Sequence, residues 1–131
     1  MKVVFDTNVL VSAYLSSGGV LESVFKIAVT RHTTILSDYV LDEFRRILQR
    51  KLNVPDAVAE YAIQLVRKDV IILERVPLKG VHFSDKGDIP ILALVKASRA
   101  HVLITGDKQL LALKRFFKAI IVSPREALEI L

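Results

Sequence analysis

The sequence contains no cysteine. Disulfides, thiolate metal sites and cysteine nucleophiles are thereby excluded, and a reducing compartment is the natural setting for such a chain. Long apolar runs are missing too: no stretch approaches the ~18 uninterrupted apolar residues of a membrane span, and Asp6 cuts the N-terminal run too early for a signal peptide. The expected location is the cytosol, with no membrane partner. His32, His82 and His101 show no zinc-ligand spacing, which argues against a zinc site. No repeat, low-complexity segment or change of composition divides the 131 residues, so the size prior gives one domain over 1–131.

What is present is an apolar, basic chain. Hydrophobic residues make up 52% of it, ample for a core. A formal net charge of +5 attracts polyanions, of which nucleic acid is the commonest. The same excess also serves to keep so apolar a protein soluble, and charge alone does not separate the two readings.

The pattern alternates strands with helices. Lys2–Phe5 is a short apolar run that stops at Asp6-Thr7-Asn8, as a buried parallel strand does when it delivers an acid to a sheet edge. A short helix over Asn8 to about Tyr14 is broken by Ser16-Ser17-Gly18-Gly19, and helical spacing resumes from Val20 to about Val29. Thr33–Leu36 is the second strand, with Ser37-Asp38 as a helix cap. Val40, Leu41, Phe44, Ile47 and Leu48 then form one face of an amphipathic helix running to about Leu52. The next helix, Ala57 to Lys68, is expected to turn Val58, Tyr61, Ala62, Leu65 and Val66 inward, and Val70–Leu73 is the third strand. Pro77–Gly87 is the longest irregular connection, and loops of that length in compact domains often carry function. Ile89–Ala100 is apolar nearly all round and reads as a buried helix. His101–Thr105 is the fourth strand, Lys108 to about Phe116 a helix, Ala119–Val122 the fifth strand, and Pro124 opens the last helix. Such alternation predicts an α/β fold with a mainly parallel five-stranded sheet covered on both faces.

Open α/β folds place their chemistry at the carboxyl ends of the strands. Asp6 ends the first strand, Asp107 follows the fourth, and Asp88 opens the helix that feeds the fourth. Glu43 stands ~40° beyond Ile47 on its helix and looks over the sheet edge, whereas Asp42 points nearly opposite Phe44. Converging carboxylates repel one another, and a divalent cation removes the conflict. Mg²⁺ or Mn²⁺ takes oxygen ligands and commonly bridges carboxylates to phosphates, and acids around one or two such ions can activate water beside a phosphodiester. Helix capping competes for Asp6, Asp88 and Asp107, because an aspartate just before a helix is also an ordinary N-cap. Glu43 competes with an ordinary solvated helix position.

Four segments then carry a resemblance: Val3-Val4-Phe5-Asp6-Thr7-Asn8-Val9-Leu10; Leu36-Ser37-Asp38 through Glu43-Phe44; Asp85-Lys86-Gly87-Asp88 before Ile91-Leu92-Ala93; and Leu103-Ile104-Thr105-Gly106-Asp107-Lys108 with Leu110-Leu111. In this order and spacing the chain resembles the PIN-domain ribonucleases, and within them the small VapC-like toxins of toxin–antitoxin pairs. The resemblance implies a three-layer α/β/α sandwich and RNA cleavage that depends on Mg²⁺ or Mn²⁺. It also implies that Asp6, Glu43, Asp88 and Asp107 are the acidic catalytic and metal-holding quartet. Asp85 would be a supporting acid, with Asn8 and Thr105 orienting carboxylates or water. A cognate antitoxin and a homodimer are further implied. Gly87 before Asp88 and Pro90 after it depart from the family pattern at the mouth of the site.

Arg46 and Arg50, one helical turn apart on Glu43's side, and Lys108, next to Asp107, are the cations placed to hold RNA phosphates. Phe117 is expected in the core, with Phe83 and Phe116 partly buried. The sequence therefore predicts a metal-dependent endoribonuclease acting on RNA. The rival readings are a PIN-like module that binds RNA or protein without cutting, and an aspartate-nucleophile phosphatase. The second would want an acid where Asn8 stands.

Overall fold

The computed structural model describes residues 1–131. Strand β1 (Lys2–Phe5) lies in the middle of a six-stranded sheet, between β2 (Thr33–Ser37) and β4 (Val102–Ile104). Beyond β2 lies β3 (Ile71–Leu73), and beyond β4 come β6 (Ala119–Val122) and β5 (Arg115–Phe116), giving the order β3-β2-β1-β4-β6-β5. All pairs are parallel except β5 with β6. Val3, Val4 and Phe5 are wholly buried, as expected of a central parallel strand covered on both faces.

The connections dictate the layers. The chain steps from β1 to β2 through α1 (Thr7–Leu15) and α2 (Val20–Arg31), and onward to β3 through α3 (Asp38–Arg46) and α4 (Asp56–Arg67). It then returns across the sheet through α5 (Ile89–Ser98) to β4, and through α6 (Lys108–Leu113) towards β6. Right-handed crossovers put helices on opposite faces when the direction of travel reverses. Accordingly α1 packs on α2 and α3, α3 on α4, and the last helix, α7 (Pro124–Ile130), on α2, while α5 covers β1 and β2 from the other side. The result is the α/β/α sandwich. Ile91 to Val95 are buried in succession, so α5 runs through the interior and holds its amino end, with Asp88, at the carboxyl edge of the sheet.

Four expectations are corrected. The sheet has six strands, because α6 stops at Leu113: Lys114 and Phe117 adopt left-handed backbone (φ +62° and +52°), and the turn between them folds Arg115-Phe116 back antiparallel to β6. That turn leaves Phe117 62% exposed rather than in the core, its ring against Phe116 at 4.9 Å, whereas Phe83 and Phe116 are partly buried as expected. On α4, Ala59, Ala62, Ile63 and Val66 face inward, and Val58, Tyr61 and Leu65 are exposed. Both sets satisfy the i, i+3, i+4, i+7 spacing, and the alanine-bearing face is the one that lets the helix approach its neighbours closely.

The helix expected to run to Leu52 is α-helical only to Arg46. Its last turn, Ile47–Lys51, is a π turn, in which the Leu52 N–H donates to the Ile47 carbonyl at 3.2 Å. No helix is long and apolar enough to cross a membrane.

Candidate active site

The strand order reverses at β1 and β4, where a parallel sheet opens a crevice at its carboxyl edge. A cleft of about 350 Å³ lies there, lined by Asp6, Asn8, Gly106 and Asp107 among others. Asp6 continues the ladder, its N–H donating to the Ile104 carbonyl at 2.9 Å. The Thr105 N–H donates in turn to the Val122 carbonyl, so both residues are fixed by the sheet rather than by loops.

Thr105 is fully buried, and its hydroxyl has two partners. It donates to Asp6 Oδ2 at 2.8 Å and accepts from the Asp107 N–H at 3.0 Å. The second bond fixes the hydroxyl proton toward Asp6. Burial pushes the Asp6 carboxyl above its ordinary pKa; the Thr105 hydroxyl and the Thr7 backbone pull it back, and the charges of Glu43 and Asp107 push it up further. Replacing Thr105 by valine removes both bonds at nearly constant volume. The expected loss is about 1–3 kcal/mol of stability, because the Asp107 N–H is left without its acceptor, and about 10–100-fold in activity. Denaturant melts and cleavage assays on the same preparation measure the two losses.

Capping and the cleft draw differently on the three aspartates that precede helices. Asp107 does cap α6: its Oδ1 accepts from the N–H groups of Gln109 (2.8 Å) and Leu110 (3.2 Å). Asp6 and Asp88 occupy N-cap positions of α1 and α5, but neither side chain makes the capping bond. Asp88 Oδ2 is buried without any hydrogen-bond partner. Burial, then the charges of Asp107, Asp85, Asp6 and Glu43, push the Asp88 carboxyl up to about 6. A carboxylate oxygen removed from water and left unpaired is costly unless a proton or a cation meets it.

Asp85, expected as a support, joins the closest group. Carboxylate oxygens of Asp85, Asp88 and Asp107 lie within 4.8 Å of one another. Asp85 reaches that position through a tight turn in which its Oδ1 accepts from the Gly87 N–H at 2.9 Å. A Cβ on residue 87 would stand 3.2 Å from that oxygen, close enough that the Asp85 carboxylate would have to shift by a few tenths of an ångström. Asp6 and Glu43 stand outside this trio and act on it through charge. The donor set is all carboxylate oxygen, which suits Mg²⁺ or Mn²⁺, and the unpaired Asp88 oxygen is the group such an ion would satisfy.

Glu43 is half-buried on α3 and lines a second recess with Asn8, Tyr39, Arg46, Arg50 and Lys51. Asn8 belongs to both recesses and joins them. Arg46 and Arg50 therefore do stand beside an acid of the site; Lys108 is exposed at the start of α6 and lines neither recess. Neither Tyr39 nor Lys51 is among the site residues expected from the sequence. The signal for Tyr39 is its i, i+4, i+7 relation to Glu43 and Arg46, and Lys51 is hidden by the π turn.

An α/β sandwich with acids gathered beside its strand-order reversal defines a class of domain with an acidic cleft at the sheet edge. The family model described as PIN domain matches residues 2–109, and the chain belongs to that family. Its fold is similar to that of a chain in the crystal structure of VapBC2 from Rickettsia felis bound to a DNA fragment from their promoter. That match has a TM-score of 0.69 and 16% sequence identity, and covers 94% of this chain and 98% of that one. At this identity the likeness is one of fold. No curated protein sequence matches the chain.

Proposed function

We propose that the protein is a metal-dependent endoribonuclease that hydrolyses RNA phosphodiester bonds, and that it is the toxin of a toxin–antitoxin pair. The observation that carries the reading is the clustering of one carboxylate oxygen each from Asp85, Asp88 and Asp107 within 4.8 Å, at a residue, Asp88, whose Oδ2 is buried and unpartnered. Five carboxylates that act on one another across one sheet edge repel a phosphodiester unless a cation intervenes, and the chain's net charge of +5 favours a polyanion. In this reading Asp85, Asp88 and Asp107 hold Mg²⁺ or Mn²⁺, with Asp6 and Glu43 contributing charge from β1 and α3. Bound there, the ion would supply positive charge beside the phosphate and lower the pKa of a water. Thr105 aims Asp6 and favours its ionised form against the burial that pushes its pKa up, and the Asp107 cap ties the ion site to the start of α6.

Two features support the partner. The structurally similar VapBC2 is a two-component assembly by its name. On this chain Tyr14 and Leu65, each more than a third exposed, line a groove with Leu10, Phe25 and Val66, and Leu15 and Tyr61 are exposed on the same two helices. Scattered exposed apolar residues are ordinary, but a group of them beside a groove marks a protein contact. An antitoxin segment with an apolar helical face is the occupant we assign to it. The homodimer rests on family resemblance and belongs to the same proposal, as does a cytosolic setting.

The test is cleavage of a mixed-sequence labelled RNA with Mn²⁺ and with EDTA, beside Asp107→Asn. Asparagine retains the capping oxygen, so the variant should fold and melt like the parent. Expected is cleavage that requires both the ion and Asp107. Ion-independent cleavage, or full activity in the variant, would refute the assignment. RNA binding without cleavage by the parent protein would favour the non-cutting module.

A further inference from the structure

Beyond Glu43 the exposed side of α3 becomes basic and aromatic. Tyr39, Glu43, Arg46 and Arg50 succeed one another at intervals of four, three and four residues, so they stack along one side of the helix. In a continuing α-helix Lys51 would lie ~140° away from Arg46. The π turn changes this: with hydrogen bonds running five residues back, the residue five beyond Arg46 comes round over it. Arg46, Arg50 and Lys51 consequently line one recess of about 440 Å³ together with Tyr39, Glu43 and Asn8.

These cations make no ion pair within the fold. The two ion pairs of the protein both belong to Arg45, which is turned toward Asp42 (3.1 Å) and Glu60 (2.6 Å). Arg46, Arg50 and Lys51 pair with no carboxylate. Tyr39 is firmly set: its N–H donates to Asp38 Oδ1 at 2.8 Å, and Asp38 Oδ2 accepts from the Arg75 N–H at 3.1 Å. Tyr39 is 38% exposed, with the Arg46 guanidinium 5.9 Å from the centre of its ring. A flat ring beside three cations that make no ion pair, one of them set over the ring, matches the two halves of a nucleotide, a base that stacks and a phosphate that needs positive charge. An acidic peptide would use the cations but has no need of the ring.

We propose that Tyr39, Arg46, Arg50 and Lys51 form a subsite for one nucleotide of single-stranded RNA, adjoining the scissile phosphate through Asn8 and Glu43, with the base stacked on Tyr39. This rests on the ribonuclease reading above. The subsite holds the strand on one side of the cut and keeps it in register with the acids, so it contributes to binding rather than to the chemical step.

The test is anisotropy of a labelled RNA octamer in EDTA, where binding is read without cleavage, paired with Mn²⁺-dependent cleavage by the same variants. Tyr39→Ala should weaken binding about tenfold or more, and Tyr39→Phe should bind as the parent does. Arg46→Ala and Lys51→Ala should each make the logarithmic salt slope shallower by about 0.7. An octamer series with one abasic site should include a position at which the sensitivity to Tyr39 disappears. Unchanged binding by a Tyr39→Ala variant that melts normally would overturn the subsite, and so would a poly-glutamate peptide that competes equally well and ignores Tyr39. Cleavage by the parent with Tyr39-independent binding removes the subsite and leaves the nuclease. Tyr39-dependent binding without cleavage removes the nuclease and leaves an RNA site.

Discussion

Replacing Asp88 by asparagine should abolish metal-dependent cleavage and yet, in EDTA at pH 7.5, raise the melting temperature. The carboxyl is pushed up to about 6 by burial first and by four neighbouring acids second, from an ordinary value near 3.8. The folded state therefore binds this proton more tightly than the unfolded chain does. Its favourable contribution is complete below about pH 4 and is lost as pH rises through 6, so at neutral pH the charged group opposes folding. An amide of the same shape carries no charge and removes that penalty. Two pKa units correspond to just under 3 kcal/mol, and solvent screening of a site at a cleft brings the gain to about 1–2 kcal/mol, a few degrees. With Mn²⁺ the order reverses. The ion needs the ionised carboxylate, so it should raise the melting point of the parent increasingly above pH 6 and leave the variant almost unmoved. Melts at pH 5 and 7.5, with EDTA and with Mn²⁺, give four numbers for each protein. Asp6, also raised by burial, remains in the variant and should leave it a shallower pH slope. A variant that melts below the parent in EDTA at pH 7.5 would mean that the Asp88 carboxylate is stabilised by something other than a missing cation.

Much of the fold was readable because its periodicities are unambiguous. Lys2–Phe5 is too short and too apolar for anything but a buried strand, and Ile89–Ala100 too long for one. Once strands and helices alternate, crossover handedness brings Asp6, Asp88 and Asp107 to one edge. What stayed illegible has specific physical causes. On α4 two faces meet the same spacing rule, and only the packing of Ala59 and Ala62 against neighbouring elements decides between them. The β5 hairpin depends on left-handed backbone at Lys114 and Phe117, residues that give no hint of it, where glycine or asparagine would have. The rank of Asp85 depends on a bond to the Gly87 N–H, a loop contact with no periodic trace. Whether an aspartate before a helix caps it or serves a site cannot be read from position. Asp107 does the first with Oδ1, which leaves its other oxygen to the cleft, while the Asp88 side chain makes no capping bond.

Phe44→Ala should cost about 3–5 kcal/mol, a large share of the ~5–15 kcal/mol that holds a domain of this size. Phe44 is wholly buried, with Tyr14 edge-on at 5.9 Å, and with Val40, Leu41 and Leu48 it fastens α3 to the core. The next residue in the chain toward the N terminus is Glu43, and Tyr39 and Arg46 lie within one turn of it. A cavity under Phe44 therefore loosens the helix that carries one acid of the cleft and the whole basic recess. At 10 °C, where the variant should still be folded, RNA cleavage and RNA binding should both fall further than the unfolded fraction from a urea titration accounts for. Phe44→Leu keeps an apolar body in the site and should lose less of all three. If Phe44→Ala were destabilised as expected but cut RNA normally at low temperature, Glu43 would not need a fixed place. The chemistry would then rest on Asp85, Asp88 and Asp107, with Asp6 beside them.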